Sequence, residues 1–229
     1  MGRLAQTLGI AGIAVAMQTQ QIHNALGQLA ERRPVFHSEA DFQHALAWQL
    51  QILNPDAHIR LEKQVAAKGN RVHLDLLFKA NGDETAIELK YKTKSAKLVH
   101  SQEEFFLRNQ SAQDIGRHDF LKDVQRLERY VEANTNSMGF AILLTNDRTY
   151  WTESKKADSV DSAFRIHDGK VLAGDATWSA KASAGTKHKR EELIKLRGSY
   201  PISWRKYSSF GASIAEEFRY ILLSVAGDA

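Results

Sequence analysis

Arg71 to Thr93 reads RVHLDLLFKANGDETAIELKYKT, two alternating stretches on either side of Asn81-Gly82. An Asn-Gly pair between alternating runs predicts a hairpin with a two-residue turn, because a type I′ turn needs positive φ at both central positions. That turn sets the register. It places Leu74 opposite Leu89, Leu76 opposite Ile87 and Phe78 opposite Thr85, which makes one mostly apolar face. The other face then carries His73 against Lys90 and Asp75 against Glu88. A slip by one residue would mix both faces, so the pattern supports this alignment.

Two carboxylates facing each other across a ladder repel and call for compensation. A hard divalent cation such as Mg²⁺ or Mn²⁺ takes oxygen ligands and suits the pair. Lys90 lies two residues beyond Glu88 and projects on the same face, where it can orient a water or stabilise developing negative charge on a phosphate. The bland alternative is an exposed hairpin whose Lys90, Lys92 and Lys94 form a solvated row.

Around this hairpin the elements alternate. Residues 4–30 have helical apolar spacing, and Arg32-Arg33-Pro34 is a break. Ser38 is a predicted N-cap with Asp41 in capping-box position, and the helix it opens runs to about Leu53, where Asn54-Pro55 ends it. Strands are expected over 59–65, 72–78 and 86–93, a polar and irregular insertion or lid over 95–119, and a helix over 120–132. The continuous apolar run Phe140–Leu144 suits a strand buried on both faces. Phe164–His167 and Lys170–Ala173 flank Asp168-Gly169 and predict a hairpin; two late strands are expected over 202–207 and 218–225. Mixed strands and helices imply an α/β layer architecture. The expected organisation is a helical segment over 1–34, a core over 35–151 and a C-terminal β-rich elaboration over 152–229, together one compact domain.

Asp75 followed by Glu88-Leu89-Lys90 at the end of an apolar strand resembles the PD-(D/E)XK nuclease superfamily. The element order over roughly 35–150 is similar too: a helix bearing Glu39, a strand, the Asp strand, the E-x-K strand, a helix, then a buried strand. The resemblance implies a restriction-endonuclease-like fold: a mixed sheet flanked by helices. It implies Asp75 and Glu88 as Mg²⁺ or Mn²⁺ ligands with Leu89 lending its carbonyl, Lys90 assisting the attacking water, and Glu39 completing the site. Leu74 stands where the motif has proline. Gln125 and Tyr130 are five apart rather than four, so no exonuclease subgroup is assigned. The implied activity is metal-dependent endonucleolytic hydrolysis of DNA. A non-catalytic binding module on the same fold and an RNA-directed nuclease are the alternatives. Duplex cutting needs two sites, so a homodimer is a natural partner arrangement.

The 229 residues carry a formal net charge of +4 and a sequence pI near 9.2, a mild bias towards anionic partners. Residues 181–206 hold eight Lys or Arg against Glu191 and Glu192. Within them Lys187, Lys189, Arg190, Arg197, Arg205 and Lys206 are candidate phosphate contacts, with Tyr200, Trp204 and Tyr207 interleaved for base stacking. The alternative is a solvated helix followed by a strand with core aromatics. Glu39 can equally be a first-turn acid that favours the helix dipole. Glu62 could reach the metal but reads first as a surface strand residue, and Asp123, Gln125 and Arg126 could touch the site or a phosphate but read first as polarity on a helix surface. The absence of cysteine excludes disulfides, thiolate zinc sites and cysteine nucleophiles, and fits a reducing cytoplasm. No apolar run reaches membrane-spanning length. Leu8–Met17 loosely imitates a signal peptide, but Gly9 and Gly12 interrupt it, and a packed N-terminal helix is expected there.

Overall fold

The computed structural model describes residues 2–67, 70–80, 82–211, 213 and 216–227, with side chains from Val15 onward except those of 66, 67 and 70. The hairpin forms in the expected register. In β2 (Asn70–Ala80) and β3 (Asp83–Lys92), Leu76 pairs with Ile87, Phe78 with Thr85 and Ala80 with Asp83. Two residues are left for the turn. Gly82 takes φ 87°, which a residue without Cβ adopts at low cost; Asn81 lies outside the described residues.

β1 (His58–Ala67) pairs antiparallel with β2 on the outer side. On its other flank β3 runs parallel to β6 (Ser137–Thr145), from Glu84–Ser137 to Lys92–Thr145. A parallel pair needs a long crossover. Here the hairpin of β4 (Ala96–His100) and β5 (Glu103–Leu107) and the helix α3 (Gln113–Ala133) supply it. All nine residues of β6 are buried, as its unbroken apolar run requires. β10 (Glu217–Ala226) then pairs antiparallel with β6, and β9 (Arg205–Ser209) with β10. The result is a six-stranded mixed sheet, order β1-β2-β3-β6-β10-β9.

Helices α1 (Gly2–Arg32) and α2 (Glu39–Leu53) cover one face, enclosing Phe36, Phe42, Leu46, Leu76, Ile87, Leu89 and Phe140. On the other face α3 packs with the hairpin of β7 (Val171–Ala176) and β8 (Ile194–Pro201) over Leu77, Ala86, Val124, Leu127 and Leu143. α2 starts where its cap residue predicts: Ser38 Oγ accepts from the Asp41 N–H at 3.1 Å. The chain is thus a mixed α/β protein. Among the described residues no helix is long and apolar enough to cross a membrane.

Three local expectations are corrected. Residues 95–119 are not irregular: they hold the β4–β5 hairpin and the first turns of α3, which begins at Gln113. Leu98, Phe105 and Leu107 give that hairpin a buried side, and His37 stacks on Phe105 at 4.4 Å. Phe164–His167 does not pair with 170–173. Phe164 instead ends a 3₁₀ turn and packs edge-on to Trp178 at 4.8 Å, while β7 pairs with β8 from further along the chain. The apolar side chains found more burial against α3 than a two-stranded ribbon offers. The strand expected over 202–207 starts only at Arg205, because Trp204 turns inward and donates its indole N–H to Ile166 O at 2.7 Å.

Candidate active site

The β2–β3 ladder ends at Leu76–Ile87, one step short of Asp75 and Glu88, although β6 still holds β3 to Lys92. The expected backbone pairs Asp75–Glu88, Leu74–Leu89 and His73–Lys90 therefore do not form. Core packing gives the reason. Leu76 packs with Ile87 and Leu89 under α2, whereas Leu74 packs with Leu77 and Ala86 under α3. β2 rolls over at Asp75 and leaves the plane it shared with β3. β1 follows: Leu61–Leu76 and Lys63–Leu74 pair, and Glu62 between them takes φ 48°. Gln43, buried on α2, pins the roll by donating its amide to Asp75 O at 2.6 Å and to Glu62 Oε1 at 2.8 Å.

Once β2 departs, the N–H groups of Leu89 and Tyr91 lose a strand to bond with. Two carboxylates replace it. Asp75 Oδ2 accepts from Leu89 N at 2.6 Å, and Glu39 Oε2, from the first residue of α2, accepts from Tyr91 N at 2.8 Å. Buried backbone donors are almost always satisfied, so these contacts hold the motif's strand and its acids together. His73 is exposed and turned towards Gln64.

α3 closes the site from the other side. Lys90 Nζ lies 2.7 Å from Asp123 Oδ2, with the two side chains 16% and 4% exposed. Arg126 Nη1 lies 2.9 Å from Glu88 Oε2 and 3.1 Å from Asp123 Oδ1. Glu88 is only 1% exposed, and neither of its oxygens accepts a well-formed hydrogen bond. Burial and the neighbouring Asp123 push its carboxyl up to about 9, against the pull of Arg126. Burial likewise raises Asp123, opposed by Lys90 and Arg126. Burial lowers the Lys90 ammonium, but Asp123, with Glu39 and Asp75, outweighs it and holds the group charged, above the usual lysine range.

The structure thus brings Asp75, Glu88, Lys90 and Glu39 to the place where two strands part, with the Leu89 carbonyl 3.4 Å from Lys90 Nζ. Asp123 and Arg126 join them, which corrects their assignment to a helix surface. The legible signal was a carboxylate at Asp123 inside the apolar stripe of Phe120, Val124 and Leu127. Gln125 is buried and serves the fold, donating to Lys195 O at 3.1 Å. Among the described residues no group of three or more acids or histidines is arranged to close around a metal ion; Lys90 and Arg126 stand between the acids.

The basic segment is divided. Arg190 grips Asp119 at 3.0 and 3.3 Å, and Arg197 reaches Glu132 at 2.7 Å and Glu128 O at 2.6 Å, so both tie this segment to α3. Lys187 ends the short helix α4 (Ala184–Lys187), and Lys189 is exposed. Arg205 and Lys206 are exposed on β9, at the sheet edge away from β1. Tyr200, Trp204 and Tyr207 are buried, which overturns their reading as stacking platforms and returns them to the core. The chain matches no protein-family model, and no curated protein matches it.

Proposed function

We propose that this protein is a metal-dependent nuclease with a restriction-endonuclease-like core, acting on DNA phosphodiester bonds. The observation that carries the proposal is Glu88. A glutamate 1% exposed, neither of whose oxygens accepts a well-formed hydrogen bond although Arg126 Nη1 lies 2.9 Å away, stands beside Asp75, Asp123 and Lys90 at the parting of two strands. Buried acids this close to one another can stand ionised together only with positive charge between them, and a metal cation is suited to that place. The donor set fits a hard divalent cation by chemistry: carboxylate oxygens of Asp75 and Glu88, the Leu89 carbonyl nearby, and Glu39 at the rim. When bound, Mg²⁺ or Mn²⁺ would act as a Lewis acid and supply a water of lowered pKa.

The chain's own residues have distinct tasks. Lys90 is held protonated by Asp123, so it serves as a charged donor that orients the attacking water or steadies charge on the phosphate, not as a base. Asp123 positions Lys90. Asp75 and Glu39 each give one oxygen to the E-L-K strand, Asp75 tying it to β2 and Glu39 to α2. The exposed Lys189, Arg205 and Lys206, with Lys187, would attract phosphates by charge. A homodimer would supply the two sites that concerted cutting of a duplex uses.

The test is incubation of the full chain with plasmid, single-stranded DNA and RNA in Mg²⁺ or Mn²⁺. We expect DNA cleavage that EDTA abolishes and that Asp75→Asn and Glu88→Gln each lower about 10³-fold. Cleavage undiminished in both variants would overturn the assignment. Binding without cleavage of any substrate would favour a non-catalytic module, a reading to which the neutralisation of the acids by Lys90 and Arg126 lends support.

A further inference from the structure

The acids of this site already hold a cation supplied by the chain. A single nitrogen, Arg126 Nη1, stands 2.9 Å from Glu88 on β3 and 3.1 Å from Asp123 on α3. Arginine usually meets a carboxylate with a two-pronged fork. Here one prong is shared between two acids from different elements, and both Glu88 oxygens and Asp123 Oδ2 are left without a well-formed hydrogen bond. A shared point contact of this kind is the place a small cation takes between two carboxylates. The two acids are buried at 1% and 3% exposure, whereas the Arg126 side chain is 33% exposed. The guanidinium therefore has a way out to solvent, and the acids do not.

We propose that Arg126 is the resident counter-cation of the Glu88–Asp123 pair, that a hard divalent cation displaces it, and that Asp123 is a third acid of the cation site. This rests on the site's being cation-binding, as proposed above, but not on its cutting nucleic acid. Two cations cannot share one position between the same two oxygens, so the Arg126 contact and the metal exclude each other. Without metal the guanidinium is the positive charge that sits between the two buried acids. With metal it is released on the solvent side, where its donors are free to meet an anion.

Calorimetric titration of the full chain with Mn²⁺ tests this, using wild type, Arg126→Gln, Arg126→Lys and Arg126→Gln combined with Glu88→Gln. Arg126→Gln is expected to bind Mn²⁺ about tenfold more tightly than wild type, a usual size for coupling between two ligands. Arg126→Lys should fall between, and the double variant should lose the gain. Without metal, Arg126→Gln should melt about 5 °C lower than wild type, and Mn²⁺ should restore it. Equal or weaker Mn²⁺ affinity in Arg126→Gln, or no Mn²⁺ binding by either protein, would overturn the proposal. If Arg126→Gln does not fold, wild type decides: titrating Mg²⁺ should move the Arg126 side-chain Nε–Hε resonance, and an unmoved resonance counts against displacement. Mn²⁺ affinity governed by Arg126 without cleavage of any nucleic acid would uphold this inference and remove the nuclease assignment. Cleavage with Mn²⁺ affinity independent of Arg126 would do the reverse.

Discussion

At the turn end of the β2–β3 pair, from Leu76–Ile87 to Ala80–Asp83, backbone meets backbone. At the other end the strands part, and the N–H groups of Leu89 and Tyr91 are met by the carboxylates of Asp75 and Glu39. Both ends satisfy the same kind of donor, but the acceptors differ. A main-chain acceptor is indifferent to most substitutions. A side-chain acceptor ties the fold to the identity of one residue, here the residues proposed to bind metal. Stability and function are therefore separable at the turn end and coupled at the parted end.

The largest effect is expected where the parted end is locked by charge. Lys90→Ala leaves Asp123 buried without its ammonium partner and should cost about 3–5 kcal/mol of stability, read by urea unfolding. Adding Asp123→Ala should return much of that loss, the mark of a true pair. A single variant as stable as wild type would show that α3 does not depend on the contact.

Asp75 separates the two roles of one carboxylate. Asp75→Ala removes the acceptor for Leu89 N–H and should destabilise by about 1–3 kcal/mol. Asp75→Asn keeps an oxygen in place and should remain near wild type in stability while losing Mn²⁺ binding. Equal losses of stability in both variants would mean that charge, not the hydrogen bond, holds the parted strand.

Glu88 predicts the pH response. Its folded carboxyl, at about 9, lies above its ordinary value of 4.5, so the native protein keeps a proton that the unfolded chain has lost. The unfolded state thus binds fewer protons over that range, and the metal-free protein should lose stability as pH rises from about 4.5 towards 9. Glu88→Gln should flatten this slope and melt higher than wild type at alkaline pH, although it cannot bind the cation. A slope unchanged by the substitution would assign the effect elsewhere. Cation binding should strengthen with pH, because the ligand must release its proton.

The smallest effect belongs to the turn end. A Cβ on Gly82 would touch nothing within 4 Å, so Gly82→Ala pays only for φ 87°, about 1–2 kcal/mol. Mn²⁺ affinity and any cleavage should be unchanged. If they fall, the two ends are coupled through the strands.

Much of this site is legible in the sequence. Asn81-Gly82 announced the turn, and the alternation on either side admitted one register, which the ladder follows from Ala80–Asp83 to Leu76–Ile87. Ser38 announced the start of α2 and so put Glu39 on its first turn. Other features were hidden. No local signal tells β2 to roll at Asp75, because the roll depends on Leu74 and Leu76 finding cores on opposite faces of the sheet. Asp123 and Arg126 resembled ordinary helix polarity until α3 was laid over β3. The basic residues of 181–206 looked like one patch, but Arg190 and Arg197 are drawn to acids on α3 that are distant in sequence.

The sequence by itself determined which side chains share a strand face or a helix turn, since turn chemistry, caps and strand alternation act over a few residues and leave little choice of phase. Only the tertiary structure decided where the ladder stops, which carboxylates fill the gap and which cations neutralise them. Those outcomes are settled by burial against two separate helical layers and by charges brought together from distant elements, neither of which any short stretch of chain contains.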